Sequence, residues 1–275
     1  MRPRPVYEVK TASGPPARPP TPPSPISAFF PNPPKHCVAL SPLSLKTSKI
    51  GGLGYLGILS SMYKERIRAI LSPAERKIFS KLTTAKKIQD FLDKLPINFE
   101  LRGETYMSPR RLLRERTAHC FEGALLAAAA FAYHGQRPLL LDLQTVPNDE
   151  DHVVALFKEN GLWGAISKTN HAILRYRDPI YRTVRELAMS YAHEYVLEDG
   201  RKSMLAYSRP YDLRRFMPER WVTEEEDLVW LVDALDDSRH FPIAPKKSMR
   251  TLRPASKIER KAMDITEWTR NGQRH

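Results

Sequence analysis

Ala118-His119-Cys120-Phe121-Glu122-Gly123, with the alanine-rich run Ala124 to Ala132 behind it, decides how this 275-residue chain is read. The run predicts a closely packed helix from about Cys120 to Tyr133, ended by Gly135. The first turn of a helix leaves N–H groups unpaired and carries partial positive charge. Both favour thiolate over thiol at Cys120.

Downstream the period changes from helical to strand-like. Pro138 to Val146 is one strand candidate, and His152 to Lys158 is a second, with the imidazole heading Val153-Val154-Ala155-Leu156-Phe157. Asn160-Gly161 is a hairpin signal turning into Leu162 to Lys168, and His171 to Arg177 is read as a third strand of this sheet. Upstream the chain reads as helices. Ser72 and Glu75 form a capping box with Pro73 at the first helical position; Thr84 to Leu95 is amphipathic; Ser108 and Pro109 begin a helix towards Glu115. After the strands, Thr183 to Val196 is helical. Thr223 with Glu226 is a further capping box opening a helix through Leu228, Leu231 and Leu235, and a short helix is expected around Ser256 to Met263.

The charge of +13 belongs to the ends of the chain. Residues 1–50 carry seven basic and one acidic side chains and residues 246–275 carry nine and three, leaving 28 basic against 27 acidic between them. Thirteen of the 24 prolines lie in residues 1–50, so that segment is expected to be extended and disordered. A chain beginning at Met62 would lose no expected core, so translation of residues 1–61 is left open. The domain is read over 60–245, with residues 1–50 and 246–275 as flexible basic tails. Solvated tails account for the charge, which therefore does not point to nucleic acid as the domain's partner.

Other classes drop out on spacing. Cys37 and Cys120 make neither a disulfide framework nor a zinc pattern, so a reducing, cytoplasmic setting is expected. No stretch has the roughly 18 apolar residues of a membrane span. Gly52-Leu53-Gly54-Tyr55-Leu56-Gly57 spells GxGxxG, but no buried strand precedes it, so no dinucleotide is expected. His119, Cys120, His152 and His171 lack metal-ligand spacing; neither metal nor cofactor is read.

A cysteine nucleophile needs a base, a group that orients the base, and donors for the developing oxyanion. Cys120 and His152 supply the first pair, and the N–H groups of the helix start are the candidate donors. Asp149, Glu150 and Asp151 would favour imidazolium at His152. His119 and His171 are read as structural, Glu122 as pairing with an arginine such as Arg116, and Trp163 as pocket wall or core.

The order of these parts resembles the transglutaminase-like superfamily, within the papain-like group of cysteine enzymes. Cys120-Phe121-Glu122-Gly123-Ala124 matches its Cys-x-Asp-x-Ala-like helix start, and Leu112-Leu113-Arg114-Glu115-Arg116 is similar to its approach to the cysteine. Leu139 to Leu143, His152 to Phe157 and Trp163 to Thr169 fall where the family places its strands. The resemblance covers about residues 80–180. It implies an α+β fold: N-terminal helices on a small antiparallel sheet, a transglutaminase-like core, and further helices C-terminal.

It also implies a thioester on Cys120 with His152 as base, in a hydrolase or acyltransferase acting on amide or acyl bonds of a protein or peptide. The family's third residue is an aspartate about fifteen positions past the histidine, and this chain has Ile166-Ser167-Lys168-Thr169-Asn170 there. A two-residue turn at Asn160-Gly161 sets Thr169 opposite His152 and Ser167 on the same face, with Asn170 turned away unless a bulge intervenes. The third role is open between Ser167 and Asn170, with Asp178 further off. The competing reading is a non-catalytic binding module on this scaffold. Another is an adaptor binding nucleic acid or membrane surfaces through its tails.

Overall fold

The computed structural model describes residues 52–101 and 103–275. Five helices come first: α1 (Gly52–Ile70), α2 (Pro73–Phe79), α3 (Ala85–Asp93), α4 (Pro109–Glu115) and α5 (Cys120–Tyr133). Their starts follow local chemistry. Ser72 Oγ accepts from Glu75 N at 3.2 Å while Glu75 Oε2 accepts from Ser72 N at 2.7 Å. Thr84 and Ser108 cap α3 and α4 in the same sense. The glycines 52, 54 and 57 lie inside α1, so GxGxxG makes no phosphate loop here, and the helix runs on through Met62.

Seven antiparallel strands follow: β1 (Leu139–Thr145), β2 (His152–Glu159), β3 (Leu162–Ile166), β4 (Arg177–Tyr181), β5 (Met204–Ser208), β6 (Tyr211–Asp212) and β7 (His240–Pro242). They pair in the order β4-β3-β2-β1-β5-β7, with β6 also on β1. The sheet is thus larger than expected, because the chain after residue 200 returns to extend it beyond β1. Helices α6 (Val184–Met189), α7 (Glu219–Val222), α8 (Val229–Asp236), α9 (Lys246–Met249) and α10 (Lys257–Met263) complete a mixed α+β architecture. Among the described residues no helix is long and apolar enough to cross a membrane.

The core has two sides. Helix α5, buried from Phe121 to Tyr133, packs between the other N-terminal helices and one sheet face carrying Leu140, Val153, Ala155, Phe157 and Ile166. Alanine side chains let those neighbours approach closely. The opposite face, with Leu141, Leu143, Val154 and Leu156, is covered by Leu187, Tyr191, Tyr195 and Ile243. Burial on both faces explains why β1 and β2 read as continuous apolar runs.

Several boundaries differ from expectation. Residues 171–176 are not a strand: Leu174 takes a left-handed φ of 57°, and Ala172 N turns to the carbonyl of Ile265. Helix α6 stops at Met189, where Ser190 Oγ donates to the carbonyl of Leu187. The helix expected from Thr223 through Leu228, Leu231 and Leu235 is present as α8 but starts only at Val229. Residues 224–227 are drawn instead to the segment before α4, with Glu224 O accepting from Ser108 Oγ and Asp227 Oδ1 from Tyr106 N and Arg111. Residues 246–275, expected as a flexible tail, carry α9 and α10 and then pair with residues 170–172. Asn170 exchanges both amide atoms with the backbone of Trp268, and Glu267 sits between Arg175 and Arg274. The proline-rich segment 1–50 lies outside the described residues.

Candidate functional site

Cys120 is the first residue of α5 and is half-buried. It lines a cleft of about 540 Å³ together with His119, His152, Asp151, Lys168 and Tyr195. His152 opens β2 opposite Leu143. The β2–β3 turn is Asn160-Gly161, with φ of 50° and 81°, and the ladder pairs Ala155 with Ile166 and Glu159 with Leu162. Continued by one residue, that register sets Ser167 opposite Val154, on the side of the sheet where His152 lies.

The two side chains meet. The Nε2 of His152 lies 2.7 Å from Ser167 Oγ, and the hydroxyl donates its own proton to the carbonyl of Leu174. With that proton committed, the hydroxyl acts as an acceptor and His152 carries its proton on Nε2. His152 also hydrogen-bonds the Cys120 side chain. Ser167 is itself held by Gln89 of α3, whose Oε1 accepts from Ser167 N at 3.1 Å and whose Nε2 donates to Ser167 O at 2.8 Å. Leu174 N in turn donates to Glu194 Oε2 at 2.6 Å, which fixes the accepting carbonyl.

Asn170 and His171 also line this cleft, but their side chains bond elsewhere. Asn170 binds the backbone of Trp268 and accepts Glu267 N on its own carbonyl, so it serves the C-terminal segment. Asp178 is exposed on edge strand β4. His171 bonds the Met263 carbonyl through Nδ1 at 3.0 Å. Trp163 lines a different cavity and packs under Lys158.

On the far side of the sulfur is His119. Its Nδ1 lies 4.0 Å from Cys120 Sγ, and its Nε2 lies 2.7 Å from the carbonyl of Thr105. Glu122 and Glu100 approach that Nε2 at 3.4 and 3.8 Å. Glu122 does not meet Arg116. It is wholly buried and accepts from Thr105 Oγ1, Met107 N, His119 N and Asn98 Nδ2. Burial alone would raise the Cys120 thiol, but hydrogen bonds and positive charge from His119 and His152 pull it well below the ordinary thiol range. Burial would lower His119, and its contacts with Cys120 and Glu122 drive it well above the ordinary imidazole range instead.

Behind the cleft, Lys168 is buried with Nζ donating to the carbonyls of Leu92 at 2.9 Å and Leu95 at 2.5 Å, at the end of α3. No protein-family model matches the chain, and no curated protein matches it.

The histidines and Cys120 do not make up the one group of possible metal ligands among the described residues. That group is Asp142, Asp151 and Asp236, each offering an oxygen within 4.8 Å of the others, and Asp142 is already bonded by His240 Nε2 at 2.9 Å. Sequence reasoning missed the supporting shell of Gln89, Glu122, Thr105 and Leu174. Two signals were present. Gln89 interrupts the apolar stripe of α3, and Glu122 stands three residues after the N-cap His119, where a carboxylate returns to the cap N–H.

Proposed function

We propose that this chain is a cysteine-dependent enzyme acting on amide or related acyl bonds, on a fold of the transglutaminase-like kind. The observation that carries the reading is the contact of His152 Nε2 with buried Ser167 Oγ, beside the cleft that Cys120 and His152 line. A nucleophile at a helix start, a base on a strand, and an orienting group on the next strand are the three parts such a site needs. The order of helix, strand, histidine strand and hairpin supports the family reading.

In this mechanism the Cys120 thiolate adds to the acyl carbon, and the first-turn N–H groups of α5 face the developing oxyanion. The imidazole that accepted the thiol proton returns it to the departing amine as the C–N bond breaks and a thioester forms on Cys120. His152 then takes a proton from the incoming nucleophile, which displaces the sulfur as thiolate. Water as that nucleophile makes a peptidase or amidase; an amine makes an acyltransferase. A protein or peptide amide in a reducing, cytoplasmic setting is the substrate class this reading assigns.

One observation favours the binding-module reading. A serine orients the imidazole where a carboxylate would also stabilise its charge, so the pair is weaker in the acid form. Reaction with p-nitrophenyl acetate separates the two. The enzyme reading expects a burst of nitrophenol and an acetyl mass increment on Cys120, absent in Cys120→Ser and strongly slowed in His152→Ala. An intact protein with no adduct on Cys120 would favour the binding module.

A further inference from the structure

We infer that His119 is the resident cationic partner of Cys120, forming a Glu122–His119–Cys120 relay beside the His152 base. The inference rests on the thiol site proposed above but is carried by a different set of contacts.

The first support is charge balance around Glu122. Its carboxylate has no solvent exposure, and each of its hydrogen-bond partners is a donor: Asn98, Thr105, Met107 N and His119 N. All four are neutral. An ionised carboxylate without a counter-charge is costly to bury. Among the described residues no lysine or arginine comes within 4.0 Å of it, and the cationic candidate at 3.4 Å is His119.

The second support is the proton count on the His119 ring. Nε2 faces the carbonyl of Thr105 at 2.7 Å, an acceptor that demands a proton there. Nδ1 faces Cys120 Sγ at 4.0 Å. When the thiol proton passes to Nδ1, the ring carries both protons and the sulfur is a thiolate. The balance is one proton moved, with no other reactant. The charged groups facing the ring are Glu122 and Glu100 at Nε2 and Cys120 at Nδ1. Across the cleft stand His152 and the acidic turn before it. Lys168 also lines the cleft, with its ammonium bonded to the carbonyls of Leu92 and Leu95.

The consequence is a division of labour. In a two-residue thiolate–imidazolium pair the same imidazole must both hold the thiolate and move protons. Here His119 shares in holding the thiolate through Nδ1, and His152, oriented by Ser167, moves the protons of the reaction.

The test is the rate of Cys120 alkylation by iodoacetamide against pH in the full chain, beside His152→Ala and His119→Gln. A low midpoint in the parent that persists in His152→Ala is expected. His119→Gln should move the midpoint towards that of a free thiol, about 8.5, and slow alkylation near pH 6 about tenfold, since a more basic thiolate is also more nucleophilic. An unchanged midpoint in a folded His119→Gln protein would overturn the inference, as would a His152→Ala protein that alone loses the low midpoint. Should His119→Gln not fold, nitrogen NMR of the parent decides. His119 doubly protonated at neutral pH supports the relay, and a neutral ring ends it. These readouts use no acyl substrate. A His119-dependent thiolate without an acyl adduct would end only the enzyme reading; an adduct with an His119-independent midpoint would end only this inference.

Discussion

Ser167 Oγ receives the Nε2 proton of His152 at 2.7 Å and passes its own to the carbonyl of Leu174. Each proton in that chain has one direction, so a neutral hydroxyl can set the tautomer of a histidine. Two supports keep it in place: Gln89 grips the Ser167 backbone, and Glu194 holds Leu174.

Ser167→Ala should therefore leave the His152 Nε2–H buried without an acceptor and cost about 1–3 kcal/mol. The change is measured by urea unfolding, together with loss of the slowly exchanging Nε2–H proton signal of His152. A retained signal would mean that another group accepts that proton.

Asn170→Ala tests the rival assignment. Asn170 donates to Trp268 O at 3.0 Å and accepts from Trp268 N at 2.8 Å. Its loss should release residues 264–275 to faster proteolysis while leaving the alkylation midpoint of Cys120 where it was. A shift of that midpoint would give Asn170 a part in setting the thiol.

Much of this was legible because the relevant signals are local. The Asn160-Gly161 turn dictates a two-residue hairpin, and a two-residue hairpin dictates which face Ser167 shares. Caps at Ser72, Thr84 and Ser108 are decided by side chains within three residues. What was not legible depends on partners far along the chain. Residues 171–176 leave the sheet because Ile265 and Trp268 compete for their neighbourhood. The helix expected from Thr223 starts only at Val229 because Glu224 and Asp227 are drawn to Ser108, Tyr106 and Arg111. His119 looked structural because its charge partner, Glu122, is evident only once no arginine or lysine is seen to pair with it among the described residues.

Gly123→Ala should destabilise, although alanine ordinarily favours a helix over glycine by about 1 kcal/mol. An added Cβ would lie 2.6 Å from Lys168 Cβ and 3.2 Å from its Cγ. Lys168 is held by two carbonyls and cannot swing aside, so an overpacking cost of about 1–3 kcal/mol outweighs the propensity gain. Displacement at this turn would also move Cys120 relative to His152. A lower urea midpoint and slower alkylation are expected, and a raised midpoint would show that the helix and β3 separate freely.

Lys168 gives the pH dependence its sign. Burial is the main influence and lowers its pKa to about 8, with the charges of Asp93 and Glu267 acting the other way. In the unfolded chain a lysine titrates near 10.4. Between those two values the unfolded state binds more protons than the folded one, so folding stability from this group rises with pH across that window and is least below it. Lys168→Met keeps an unbranched side chain one atom shorter and removes the titration. The stability of the parent relative to Lys168→Met should thus increase from pH 7 to pH 10, as followed by urea unfolding at each pH. Parallel curves would mean the ammonium is as well accommodated in the fold as in water, the carbonyls of Leu92 and Leu95 having fully replaced its hydration.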